Sequence, residues 1–472
     1  MKQLLSCDGN RILVGLKDRA FLVMDSTSAS SIVELSQFPE ESNVKQQQPR
    51  NDQAELNDIT AVALASFALP NSKTETLFCA VARYNKSFAV YAISNDEFES
   101  LSSSKPPTTK APSIVYQAPK RISCITYTML SSGPELNEFI PVVITGDLAG
   151  DSYAYNVLEK GHRLLLGHTA SMLTGITMLK HNQQNCIATA DRDEKIRISR
   201  FPESCLIEGY LLGHTKYVTA IDAASGIAEN SSLLVSCGGD KTVRLWDGVK
   251  LQEICHVSTE DTSDEIPSDI AINASGKTVA VIFDQSKLLQ LYTVKRDNDV
   301  VTLVASHSVE CPCHPLVITY DASNNRLLVL MREPDCFMFV KICQESGADA
   351  TFETVESGVS ITALRDLVTK ESILLPDTIL EKDKQGNPVL QKEIETRGAS
   401  GEEVPWKRPE RIAVAKEKQR KRRQNRREKN RQTKPKRDKE EQASTTGYLT
   451  LPHPFTPSRS LIQKDNLDYT NS

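Results

Sequence analysis

One stretch, Gly213 to Asp247, constrains this chain more than its composition does. Gly213-His214 is followed by the apolar run Leu233-Leu234-Val235-Ser236, the turn Gly238-Gly239-Asp240-Lys241 and the closing string Val243-Arg244-Leu245-Trp246-Asp247. Apolar strands broken by polar turns read as antiparallel sheet. His214, Ser236, Asp240 and Trp246 form a donor and acceptor set able to tie an outer strand to inner ones. A second copy opens at Gly167-His168, 46 residues earlier, and closes on Asp191-Arg192-Asp193-Glu194-Lys195-Ile196-Arg197-Ile198-Ser199. Aligned on the turn, Asp193 stands for Asp240, Thr189 for Ser236 and Ser199 for Trp246.

A recurring period of this size, with G-H at one end and W-D at the other, is similar to the WD repeat. Weaker copies place Met24, Tyr91, Tyr155, Ser199, Trp246, Tyr292 and Phe339 at one repeated position, with gaps of 67, 64, 44, 47, 46 and 47 residues. Seven units therefore fit, within the range that closes a propeller. The expected fold is an all-β, seven-bladed WD-repeat β-propeller over residues 1–372, with polar loop insertions at about 26–58 and 100–112. The first unit has little sequence before Arg11, so a late strand within Ser357–Val368 is expected to complete that blade.

Charge divides the chain. Lys407 to Lys439 holds seventeen Lys or Arg against four Asp or Glu, a local +13 in a protein whose total is −5. Residues 373–472 are accordingly expected to form a disordered, flexible tail around the basic run 407–439. Within it Lys418, Arg420, Lys421, Arg422, Arg423, Arg426 and Arg427 suit nuclear import, contact with an RNA phosphate backbone, or plain solvation. No aromatic residue interrupts Lys418 to Arg431, which disfavours base stacking there. Eleven cysteines without a C-x-x-C pair predict reduced thiols, and the longest apolar stretch, Ile59 to Leu69, is too short to span a bilayer. No secretory signal or membrane contact is expected.

Catalytic signatures are not found: no P-loop, no G-x-G-x-x-G after a strand, no H-E-x-x-H and no G-x-S-x-G. Gly146-Asp147-Leu148-Ala149-Gly150 falls where a blade turn belongs. Cys311-Pro312-Cys313-His314 has metal-binding residue types but no fourth ligand at a usual spacing. No catalytic, cofactor or metal site is expected, and His168 and His214 are read as structural.

Three strings carry a narrower resemblance: Leu164-Leu165-Leu166-Gly167-His168-Thr169, Thr189-Ala190-Asp191-Arg192-Asp193-Glu194-Lys195-Ile196-Arg197 and Leu212-Gly213-His214-Thr215. They resemble the WD-repeat, non-catalytic subunit of tRNA (guanine-N(7)-)-methyltransferase, of the animal type with a basic tail. The resemblance implies a heterodimer with a separate catalytic subunit that holds S-adenosylmethionine. It further implies 7-methylguanosine formation in the tRNA variable loop, tRNA bound mainly through the complex, and a nuclear, or nuclear and cytoplasmic, location. It makes Arg197 the first choice for the partner contact, flanked by Glu194 and Lys195, on the expectation that Arg197 projects from an edge strand. The alternative is a nuclear WD-repeat scaffold binding peptides, histones or a ubiquitin ligase.

Overall fold

The computed structural model describes residues 2–24, 31–36, 57–69, 74–102, 109–131, 139–169, 171–224, 232–297, 300–321, 325–332, 337–343, 351–355 and 359–370. The basic run 407–439 lies outside the described residues. Among the described residues the strands form seven antiparallel sheets, each of four consecutive strands apart from one parallel addition.

The fourth blade is built from Leu173–His181, Gln184–Asp191, Lys195–Arg200 and Ile207–Leu212, from the inside outward. The fifth repeats it with Val218–Ala223, Leu233–Gly238, Thr242–Asp247 and Gln252–Ser258. All seven repeat markers, from Met24 to Phe339, fall on the third strand of their blades. The second strands are buried almost throughout, as in Leu233–Gly238, because both of their faces meet neighbouring blades. Such strands read as continuous apolar runs rather than alternations.

The innermost strands pack side by side into a closed ring, and Leu5–Asp8 neighbours both Ile59–Ala68 and Pro315–Asp321. Side chains stitch the ring from blade to blade. Asp222 accepts the backbone N–H of Ile272 at 2.9 Å, and Asp269 that of Ile318 at 3.0 Å. Thr219 donates to the carbonyl of Pro267, and Ser123 to that of Leu173. Gln3 makes two bonds of 3.1 Å to the backbone of Ile125, so inner-strand groups without a ladder partner are satisfied.

Closure differs from expectation. The first blade has its own four strands, Leu5–Asp8, Arg11–Leu16, Arg19–Met24 and Ile32–Leu35, the last lying inside what was expected to be a loop. The second expected loop likewise contributes the end of the helix Asn95–Ser102 and the strand Thr109–Lys110, which adds in parallel to the first blade. Val359–Lys370 is a helix, not a strand. Its Ile361, Leu364 and Val368, spaced three and four residues apart, are buried in the apolar cluster of the first blade.

Candidate partner-binding edge of the fourth blade

In the fifth blade the four marker residues form one chain of hydrogen bonds. Trp246 Nε1 donates to Ser236 Oγ at 2.8 Å, Ser236 lies 2.7 Å from His214 Nε2, and His214 Nδ1 lies 3.0 Å from Asp240. A carboxylate only accepts, so Nδ1 carries the proton and Ser236 donates to Nε2. Burial alone would raise the Asp240 carboxyl, but the hydrogen bonds it accepts from His214 Nδ1, the Thr215 N–H and Thr242 outweigh it and hold the group at about 2. Both ring nitrogens of His214 are thereby occupied within the blade.

The fourth blade keeps the device with one substitution of partner. His168 Nε2 lies 2.8 Å from Thr189 Oγ1, but Nδ1 pairs with Asp191 Oδ2 at 2.8 Å, not with Asp193. Asp191 ends the second strand, where the fifth blade has Gly238, and its other oxygen accepts the N–H groups of Asp193 and Lys195. A carboxylate at that position meets the histidine before the turn residue can. Asp147 likewise takes the N–H groups of Ala149 and Asp151, confirming the glycine cluster there as a blade turn.

Arg197 is placed differently from expectation. It lies on a third strand, covered on its outer side by Ile207–Leu212, and is only 8% exposed. Its Nε donates to Ser199 Oγ at 2.8 Å, Nη1 to the Gly167 carbonyl at 3.2 Å and Nη2 to the Ser204 carbonyl at 3.0 Å. It is thus a seam residue joining the third blade to the fourth, not an outstretched arm. Lys195 is exposed, opposite Leu212 in register, and Glu194 occupies the adjoining turn at φ 74°.

All three acceptors of Arg197 are uncharged, and burial lowers its pKa. Arg244, at the same register position of the next blade, is equally buried but is paired with Glu253 and lies 3.7 Å from Asp240. Glu253 faces the third strand at the position that Ile207 takes in the fourth blade. Among the described residues no carboxylate lies within 4 Å of Arg197.

Around this cation the outer surface is apolar. Leu212 is 64% and Leu164 58% exposed, and Leu206, Ile207 and Tyr210 are exposed beside them. They stand on the outer strands of the third and fourth blades and on the loop between Arg200 and Ile207, which Ser204 ties to the Leu165 carbonyl. The corresponding strand of the fifth blade, Gln252–Ser258, presents Gln252, Glu253, His256 and Ser258 instead. That contrast in sequence was the signal for this rim. Cys311 is buried and its thiol is pushed up to about 12 by burial, then by the neighbouring Cys313.

The seven-sheet ring, the His-Ser-Asp-Trp chain of the fifth blade and its His-Thr-Asp counterpart in the fourth define a WD-repeat β-propeller. Residues 145–342 match the family model described as the tRNA methyltransferase TRM82 WD40 domain. The chain is 33% identical over 193 residues to the tRNA (guanine-N(7)-)-methyltransferase non-catalytic subunit TRM82 of Vanderwaltozyma polyspora, covering 39% of this chain and 37% of that one. It is 32% identical over 199 residues to the wdr4 subunit of the same name from Danio rerio, covering 40% and 46%. To the wuho subunit of Anopheles gambiae it is 26% identical over 254 residues, covering 49% and 64%. Residues 145–342 are thus similar to the TRM82-type WD40 domain. The matched segments span less than two thirds of the length of these relatives.

Proposed function

We propose that this chain is the non-catalytic subunit of a tRNA (guanine-N(7)-)-methyltransferase, joined to its catalytic subunit in a heterodimer along the outer edge of the fourth blade. The observation that carries the placement is Arg197, a buried cation with uncharged acceptors only, set beneath an exposed apolar rim. A partner carboxylate reaching over Ile207 would supply what Glu253 supplies to Arg244. Leu164, Leu206, Tyr210 and Leu212 would be covered at the same time, with Lys195 and Glu194 at the margin.

The propeller then acts by holding the catalytic subunit in its competent conformation, a shift of population driven by differential binding. S-adenosylmethionine belongs to that subunit, and 7-methylguanosine in the tRNA variable loop is the product. The basic run with Lys418 and Arg420 to Arg423 serves nuclear import and adds salt-dependent attraction for RNA.

Co-expression with the catalytic subunit, purification through a tag on this chain and measurement of 7-methylguanosine on tRNA test the reading. Activity should require both chains and fall in Arg197→Glu, with circular dichroism and thermal melting checking that the variant folds. A wild-type pair that neither associates nor methylates would move the assignment to a nuclear scaffold.

A further inference from the structure

The upper face of a propeller carries the turns between second and third strands and the connections to the next blade. On this face, at the junction of the second and third blades, Arg121 lies over the ring of Tyr84, 4.1 Å from its centroid, and Tyr84 is 37% exposed. Tyr84 and Lys86 belong to the turn between Glu75–Arg83 and Ser87–Ser94. Lys120 and Arg121 belong to the connection between Ile114–Gln117 and Ile122–Ser131. The two segments are bound to each other, since Ala118 N donates to the Lys86 carbonyl at 2.8 Å. Lys86 and Lys120 are exposed, and neither has a carboxylate within 4 Å among the described residues. Among the described acids close to this backbone network, Asp58 lies 3.7 Å from Lys2, and Asp147, next to the Leu148 N–H that donates to the Arg121 carbonyl, is buried.

The opposite side of the same face has the reverse sign. Between Gln252–Ser258 and Pro267–Ile272, the connection exposes Glu260, Asp261, Asp264 and Glu265 and contains no Lys or Arg. A polyanion approaching the upper face is therefore directed to the second and third blades and away from the fifth and sixth.

We propose that Tyr84, Lys86, Lys120 and Arg121 form an RNA-binding platform that grips the tRNA substrate. This rests on the function proposed above. The chemistry is that of backbone attraction combined with stacking: two unpaired ammonium groups for phosphates, and an exposed aromatic ring with a guanidinium plane for an unpaired base. An acidic peptide would use the lysines but leave the stacked pair without a function, so RNA is the better fit.

The test is equilibrium binding of tRNA to the full chain and to its complex at several salt concentrations, with KM and kcat for methylation measured on the complex. Lys86→Glu combined with Lys120→Glu should weaken tRNA binding by about fivefold or more and reduce the slope of log affinity against log salt by roughly 1.5. Tyr84→Ala should weaken binding by about fivefold or more with the slope unchanged. In both, KM should rise while kcat and association with the catalytic subunit hold. Unchanged affinity, slope and KM in both variants would overturn the platform, as would displacement from these lysines by polyglutamate but not by tRNA. A wild-type complex that fails to methylate would remove the function reading instead, while the binding measurements would still decide the platform.

Discussion

Arg197 and Arg244 occupy the same register position in adjacent blades, opposite Thr189 and Ser236, yet only Arg244 has a carboxylate partner. Both are buried on third strands beneath an outer strand. The difference lies in one residue of that strand, Glu253 in the fifth blade and Ile207 in the fourth. Removing a cation from water without a counter-charge is unfavourable. A fold that repeats the arginine and omits its partner therefore leaves a place for an external carboxylate.

The exposed rim offers a test that spares the core. Leu212→Asp replaces a side chain that is 64% exposed, so stability should change by about 0.5 kcal/mol or less. Affinity for the catalytic subunit should fall by about tenfold, as at the centre of an interface. Calorimetric titration together with a thermal melt separates the two effects.

The fifth-blade chain should be sensitive to single atoms. Trp246→Phe removes the donor to Ser236 and part of a fully buried ring, and is expected to cost about 2 kcal/mol in urea unfolding. Gly213→Ala should destabilise by a different route. Its Cβ would come within 2.7 Å of Arg244 Nη1 and 2.8 Å of Glu253 Oε2, forcing that ion pair apart. The second variant should lower the melting temperature and, because the same Cβ comes within 3.1 Å of Trp246 Cη2, also shift the Trp246 fluorescence at low temperature.

Two ring carboxylates set a pH dependence. Burial raises Asp222 to about 6 and Asp269 to about 7, the latter helped by the charge of Asp222, against the opposing effect of backbone N–H bonds. A raised acid penalises its charged form in the fold, so this penalty is full above about pH 7 and is relieved as pH falls towards the unfolded carboxylate range. Asp240 has the opposite sign: held at about 2, it stabilises above about pH 4 and loses that contribution as pH falls through 2. Asp269→Asn keeps an acceptor for Ile318 N–H and removes the charge. It should melt higher than wild type at pH 7.5 and converge with it near pH 5.

Much of the architecture was legible because the third strands carry bulky or polar markers at one repeated position, and Tyr91, Tyr155, Trp246 and Tyr292 fill the same place in four blades. The exceptions have physical causes. In Val359–Lys370 the β-branched residues suggested a strand, while the spacing of Ile361, Leu364 and Val368 already had helical period. Asp193 aligned with Asp240 by turn position, but Asp191 precedes it on the strand and reaches His168 first. The inward placement of Arg197 was not readable, because it depends on carbonyls of Gly167 and Ser204 brought together only by the packing of two blades.

The most direct measurement is the Kd of the Ile207→Glu chain for the catalytic subunit, alongside its melting temperature. The substitution puts a carboxylate where Glu253 stands in the next blade, giving Arg197 an internal partner. The expected result is a melting temperature equal to or above that of wild type, with affinity reduced at least about tenfold because the site is already neutralised. Wild-type affinity in a folded Ile207→Glu chain would contradict the assignment of this edge to the partner.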